Sequence, residues 1–422
     1  MIEAADVVVP ITGPPITQGG VLVDGDLIAD VGPLDQVMAR HPDVAVRHWP
    51  GVMTPGLVNA HTHLQYTTFD RVGAVRYPDY VSWAVRFVAE YDARPHEDWV
   101  AAARLGVERS LAAGVTCLAD VVTDWEARDV LIDAALPGIA YLELIGTDPA
   151  DWEGAAATDL EDAISSAPVT DWSRVGISPH APYSVDERVI VNLVEMARRL
   201  GVRLHVHLAE IDSEEELYRS GTGVWAERVR QVARRRLTLA DRGGAGLGTA
   251  EFAASLGLLT AQCHIAHGIY LDGAGRAMLA ASGTVPALCP RSNLSLGQSP
   301  PPIADYLRER VPFAIGTDSL GSTQSLDPMD DVAVLRTLAA DAGYDHPDLG
   351  RRLLEAATLG GARAMGLDGL LGSLEAGKRA DLAIFDVEAQ AADVEGALTG
   401  TGGSHCLATI VGGVVRWEPR TR

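Results

Sequence analysis

The hydrophobic rhythm of the chain changes twice along its length. The opening runs DVVVPI, GGVLVDGDLIADVG and AVRHWPG are short, alternating and punctuated by glycine, as antiparallel hairpins are. The closing runs GSLEAGKRADLAIFDV and HCLATIVGGVVRW read the same way. Between them recur eight apolar runs, GLVNAHTH (56–63), GVTCLADV (114–121), GIAYLELIG (138–146), VGISPHAP (175–182), VRLHVHLAE (202–210), AQCHIAHGIY (261–270), GTVPALCPRSN (283–293) and PFAIGTDS (312–319). Amphipathic stretches such as HEDWVAAARLGVERSLAA and DERVIVNLVEMARRLG separate most of them. Eight strands alternating with helices predict an α/β fold of the (β/α)8, TIM-like barrel type. The barrel is expected over 54–368, with 1–53 and 369–422 forming a small β domain. The long interval between the fifth and sixth runs, containing DRGGAGLG, reads as an elaborated loop.

Composition narrows the class. The chain has 422 residues, 47% apolar and 22% charged, which suits a soluble globular protein with a large core. A net charge of −23 argues against nucleic acid or an anionic membrane as partner. It does not bear on a small substrate in a local pocket, and it leaves a homo-oligomer open. Cys117, Cys263, Cys289 and Cys406 form no CxxC pair and read as small core residues in a reducing compartment. The opening MIEAADVVVPITG has no basic region and no long apolar run, so a secretory signal is not expected and a cytoplasmic location is. Of 34 basic residues, only Lys378 is lysine.

In such barrels chemistry gathers at the C-terminal ends of the strands. His61, His63, His180, His207, Glu210, His267, Arg291, Asn293 and Asp318 all fall at or just after those ends. His61 and His63 are two apart, so both imidazoles share one face at the barrel mouth, as a divalent transition metal requires. The other reading is a pair of ordinary polar strand residues. His205 and His207 repeat the spacing on the fifth strand, followed by Glu210; Asp318 ends the eighth. Three histidines and one carboxylate leave a position for water, whose pKa a bound metal lowers to about 7. His207 lies nearer the strand end and is assigned to the metal. His205, roughly 6–7 Å deeper, reads as a hydrogen-bonded core histidine.

TPGLVNAHTH (54–63), SPHAPY (178–183), HLAE (207–210), AHG (266–268), CPRSN (289–293), GTDS (316–319) and GSLEAGKRADL (372–382) run in the order seen in the amidohydrolase superfamily. Over nearly its whole length the chain resembles that superfamily, close to its nucleobase and nucleoside deaminase branch. The resemblance implies a barrel flanked by a β-sandwich built from both chain ends. It implies His61, His63, His207 and Asp318 as ligands of one divalent metal, Zn²⁺ or else Fe²⁺. It implies Glu210 as the acid that protonates a ring nitrogen and His267 as the histidine that polarises the metal's water. Asp318 would also take the water's proton. Binuclear relatives bridge two metals with a carboxylated barrel lysine, and Lys378 lies outside the barrel, so one metal is expected.

For the substrate, a small nucleoside, the expected contacts are His180, Glu210, Arg291 and Asn293, with Gln65, Arg71, Arg76 and Trp83 from the loop after the first strand. LCPRSN is similar to the corresponding string of aminofutalosine deaminases, whose adenosine-type substrate carries a benzoate-bearing 5′ extension. Arg291 could then pair with that carboxylate, or instead form a salt bridge at the rim. The leading expectation is therefore deamination of 6-amino-6-deoxyfutalosine, a step in menaquinone biosynthesis. The rivals are adenosine, methylthioadenosine or S-adenosylhomocysteine deamination, guanine deamination and triazine dechlorination. A non-catalytic metabolite-binding relative is the reading from a different class.

Overall fold

The structure, a computed structural model, describes residues 1–232, 238–403 and 405–419. Four strands open the chain: β1 (Ile2–Val8), β2 (Ile16–Asp24), β3 (Leu27–Pro33) and β4 (Val46–Pro55). Eight more follow: β5 (Leu57–Thr62), β6 (Val115–Val122), β7 (Gly138–Glu143), β8 (Ser173–Ser178), β9 (Leu204–Leu208), β10 (Cys263–His267), β11 (Pro286–Leu288) and β12 (Ala314–Ile315). The last are β13 (Leu382–Phe385), β14 (Cys406–Val411) and β15 (Val414–Trp417).

Strands β5 to β12 pair in sequence order, all parallel, as the eight-stranded barrel. β5, β6 and β7 are buried at every position, since inner side chains fill the barrel and outer ones meet helices. The helix Glu187–Leu200 shows how sequence sets that packing. Asp186 caps it by accepting from the Arg188 N–H, and Val189, Ile190, Leu193, Val194 and Ala197 bury one stripe. It ends at Gly201, whose φ of 68° a side chain would strain. Losing the Asp186 cap would cost about 1 kcal/mol.

The barrel closes between β12 and β5. The amides of Thr317 and Asp318 both donate to the His61 carbonyl at 3.0 Å, and Thr62 Oγ1 donates to the Asp318 carbonyl at 3.0 Å. Asn59 spans the same seam: its Nδ2 donates to Thr317 Oγ1 and its Oδ1 accepts from the Thr317 amide. This seam sets Asp318 beside the two histidines of β5.

The chain ends form one seven-stranded sheet, ordered β15-β14-β13-β4-β1-β2-β3. The sandwich is this single sheet curled on itself. The Ile28 amide donates to the Lys378 carbonyl and the Gly377 amide to the Ile28 carbonyl, tying β3 to the approach of β13. Val21, Val23 and Ile28 thereby share a core with Leu382, Ile384, Ala408 and Ile410.

Two local readings change. The seventh run is a strand only over Pro286–Leu288. Pro290 then opens a short helix, Pro290–Ser295, where its fixed φ is an asset. The interval between β9 and β10 carries the helices Glu214–Ser220, Val224–Val232, Thr238–Asp241 and Thr249–Ser255. Among the described residues no helix is long and apolar enough to cross a membrane. The four cysteines are buried and unpaired.

Candidate active site

Four strand ends, those of β5, β9, β10 and β12, converge at one mouth of the barrel. Ring nitrogens of His61, His63 and His207 lie within 4.8 Å of one another, and so do potential ligand atoms of His61, His267 and Asp318. Asp318 Oδ1 lies 3.7 Å from His61 Nε2 and 3.6 Å from His63 Nε2. Its other oxygen accepts from Ser292 Oγ (2.6 Å) and Ser322 Oγ (2.8 Å), which fix the carboxylate plane.

The donor set fits a divalent cation. His61 Nε2 is buried without any hydrogen-bond partner. His207 Nδ1 faces the His180 carbonyl at 3.0 Å, so it donates and leaves Nε2 with its lone pair. Burial pushes the pKa of His61, His63 and His207 below the ordinary range, and neutral imidazole is the ligating form.

Backbone strain concentrates here. His180, Ala209, His267 and Asp318 all have positive φ, at 31°, 54°, 72° and 59°. Each such non-glycine residue costs of order 1–3 kcal/mol. Surrounding bonds hold them: the buried Glu214 carboxylate accepts from the amides of Ala209 and Glu210 at 2.9 Å and from Tyr218 OH. Glu214 thus fixes the sharp turn that aims Glu210.

Glu210 is buried, with Oε2 accepting from Tyr183 OH at 3.2 Å and Oε1 lying 3.4 Å from His267 Nε2. Burial, then the nearby Asp318 carboxylate, pushes its carboxyl well above the usual carboxylate range. Burial takes His267 down to about 3. Its Nδ1 accepts from Asn293 Nδ2 at 3.1 Å, so Nε2 carries the ring's hydrogen and points toward Glu210.

The cleft above these groups has a cavity volume of about 90 Å³ and is walled by Tyr66, Tyr80, Trp83 and Phe87, with Glu143 and His180 as further polar groups. The expected substrate contacts divide accordingly. His180, Glu210 and Trp83 line the cleft. Asn293 sits behind His267 and positions it. Gln65 is buried away from the cleft, donating to Asp124 and accepting from the amides of Thr123 and Asp124. Arg71 and Arg76 are exposed and do not line the cleft.

Arg291 requires a correction. Its guanidinium pairs with Asp331 (2.7 Å) and Asp330 (3.1 Å) and also donates to Ser325 and the Asp327 carbonyl. Asp331 is fully buried, so the arginine is committed to neutralising it and is not free for a substrate carboxylate.

Glu143, Thr123, Tyr183 and Ser292 were not anticipated. Glu143 ends β7, so the strand-end rule that found the histidines also points to it. Its Oε2 accepts from Thr123 Oγ1 at 2.7 Å, its Oε1 is buried without a partner, and burial pushes its pKa up to about 7.

The amidohydrolase family pattern matches residues 52–415. The chain belongs to the amidohydrolase family. The 5-methylthioadenosine/S-adenosylhomocysteine deaminase of Moorella thermoacetica is 30% identical over 394 residues, covering 90% of this chain and 84% of the relative. Aminodeoxyfutalosine deaminase of Deinococcus radiodurans is 30% identical over 363 residues, covering 82% and 81%. The solved structure of Helicobacter pylori aminofutalosine deaminase with methylthio-coformycin shares the fold, with a TM-score of 0.85 at 19% identity, covering 99% of this chain and all of that one.

Proposed function

We propose that this amidohydrolase removes the amino group of an adenine nucleoside carrying a 5′ substituent, releasing ammonia. The observation that carries the reading is the buried Glu210 carboxyl, seated between Tyr183 and His267 beside Asp318, with burial raising its pKa well above the usual carboxylate range. A carboxylic acid there can deliver a proton to the ring nitrogen next to the attacked carbon.

We assign one divalent cation, Zn²⁺ or Fe²⁺, to His61, His63, His207 and Asp318. A cation bound there would lower the pKa of a water to about 7 and so supply a nucleophile at neutral pH. Asp318 would hold a proton at its carboxylate and pass it to the departing amine. Glu210 protonates the ring nitrogen. His267, with Nε2–H fixed by Asn293, donates to the attacking oxygen. The aromatic walls exclude water and sandwich a flat base.

Glu143 favours a nucleoside over a free base. Its oxygen lies within 4.8 Å of ring nitrogens of His180 and His207, and its unpartnered Oε1 can accept from a sugar hydroxyl.

The 5′ group divides two readings. The LCPRSN string and the Deinococcus relative favour 6-amino-6-deoxyfutalosine, whose aryl group suits the wall of Tyr66, Tyr80, Trp83 and Phe87. The Moorella relative favours methylthioadenosine, whose neutral substituent needs no cation. Ammonia release from 6-amino-6-deoxyfutalosine, methylthioadenosine, S-adenosylhomocysteine, adenosine and guanine should rank an adenine nucleoside first. Faster turnover of guanine or of a chlorotriazine would defeat the assignment while leaving hydrolysis intact.

A further inference from the structure

Two buried histidines, His205 and His264, lie outside the metal set and beneath it. His205 Nδ1 lies 3.1 Å from the His264 carbonyl oxygen. A carbonyl only accepts, so His205 Nδ1 carries the hydrogen. Both nitrogens of the fully buried His205 ring face uncharged partners, the His264 carbonyl and the His61 ring, so the ring is neutral and carries one N–H. His205 Nε2 is therefore an acceptor. It lies 2.7 Å from His61 Nδ1, which must donate. His61 then retains its lone pair on Nε2, the atom left without a partner in the metal set.

The same logic runs one residue further. His264 Nε2 faces the Ala60 carbonyl at 3.0 Å and donates to it, leaving Nδ1 to accept from Tyr141 OH at 3.4 Å. The rings of His205 and His264 stack at 3.9 Å with 12° between their planes, which prevents either from turning. The Ala60 carbonyl fixes the tautomer of the His264 ring, whereas the backbone carbonyl of His264 fixes that of His205 and, through it, that of His61. One backbone carbonyl thus dictates which nitrogen of a buried ligand is free.

We propose that His205 is a positioning residue that locks His61 in its Nδ1–H tautomer, presenting Nε2 to a divalent cation, and that His264 locks His205 in turn. The His-x-His of β9 is then divided into a ligand, His207, and the orienter of another strand's ligand, His205. A histidine that merely filled the core would be replaceable by phenylalanine without effect on the cation. The inference rests on the metal assignment of the preceding section.

The test begins on wild-type protein labelled with ¹⁵N-histidine, using long-range proton–nitrogen correlations. Nδ1–H is expected on both His61 and His205. A hydrogen on His205 Nε2 overturns the proposal. Zinc affinity is then measured by competition with a chromophoric chelator. His205→Phe should weaken zinc binding about 10–100-fold, the usual effect of losing a ligand's hydrogen-bond partner. His205→Gln places an amide oxygen near the lost acceptor and should recover most of that loss. Zinc affinity of His205→Phe within threefold of wild type overturns the proposal, as does an equal loss in His205→Gln. If His205→Phe fails to fold, judged by thermal unfolding of the metal-free protein, the tautomers and the glutamine variant still decide. Wild-type protein that binds no zinc while showing the expected tautomers would refute the metal assignment and, with it, the purpose given to His205.

Discussion

Asn293 Nδ2 donates to His267 Nδ1 at 3.1 Å, and this bond sets which nitrogen of His267 faces the reacting atoms. Asn293→Leu should lower kcat about 10–100-fold with zinc content unchanged, since the ring loses its fixed tautomer and orientation. Asn293→Asp should be no better, because a carboxylate takes a hydrogen from Nδ1 and strips it from Nε2. Steady-state kinetics beside metal analysis would check this. Asn293→Leu with normal kcat would show that His267 needs no orientation.

Glu210→Gln should abolish turnover by at least about 10²-fold while retaining the metal, because an amide cannot deliver a carboxylic proton. Activity within tenfold of wild type would contradict the assigned role. Metal loss in the variant would move Glu210 among the ligands.

Purified protein should carry near one zinc or iron per chain, and chelation should remove activity that Zn²⁺ restores. A stable content of two metals per chain, by elemental analysis, would refute the mononuclear assignment. Lys378 lies just ahead of β13, and no lysine is available in the barrel to bridge a pair.

Arg291→Met should destabilise the fold by about 3–5 kcal/mol, since buried Asp331 loses its counter-charge. Residual kcat/KM should fall alike for substrates with and without a 5′ carboxylate. A selective loss on the carboxylated nucleoside would show that the arginine reaches the substrate after all.

Glu143 gives a pH dependence of known sign. Burial raises its pKa from an ordinary 4.5 to about 7, so the folded state holds its proton more tightly than the unfolded one. That contribution to stability is whole below about pH 4.5 and is lost as pH rises through 7. Glu143→Gln cannot titrate, so its stability relative to wild type should rise between pH 5 and pH 8, by at most about 3 kcal/mol. Urea unfolding at the two pH values would show it. A constant difference would mean that Glu143 is solvated.

What the chain determines locally is visible in its pattern. Short continuous apolar runs, and helical stripes such as Val189–Ile190–Leu193, prescribe eight strands and their crossover helices because burial acts residue by residue. A period of two puts His61 and His63 on one face of β5 whatever the rest of the fold does. That the metal-site candidates sit at strand ends follows from the same register.

What only the tertiary structure decides depends on contacts between residues far apart in sequence. Position along β9 already separates His207 from His205, but the partner of each comes from elsewhere: the carbonyl of His264 engages His205 and that of His180 engages His207. Arg291 looks available until Asp331, 40 residues later, is packed against it. Glu143 looks like any acidic strand end until closure leaves its Oε1 buried and unpaired. Periodicity assigns a face to each side chain, but a hydrogen-bond partner, a tautomer or a free carboxylate oxygen is set by which strand closes beside it.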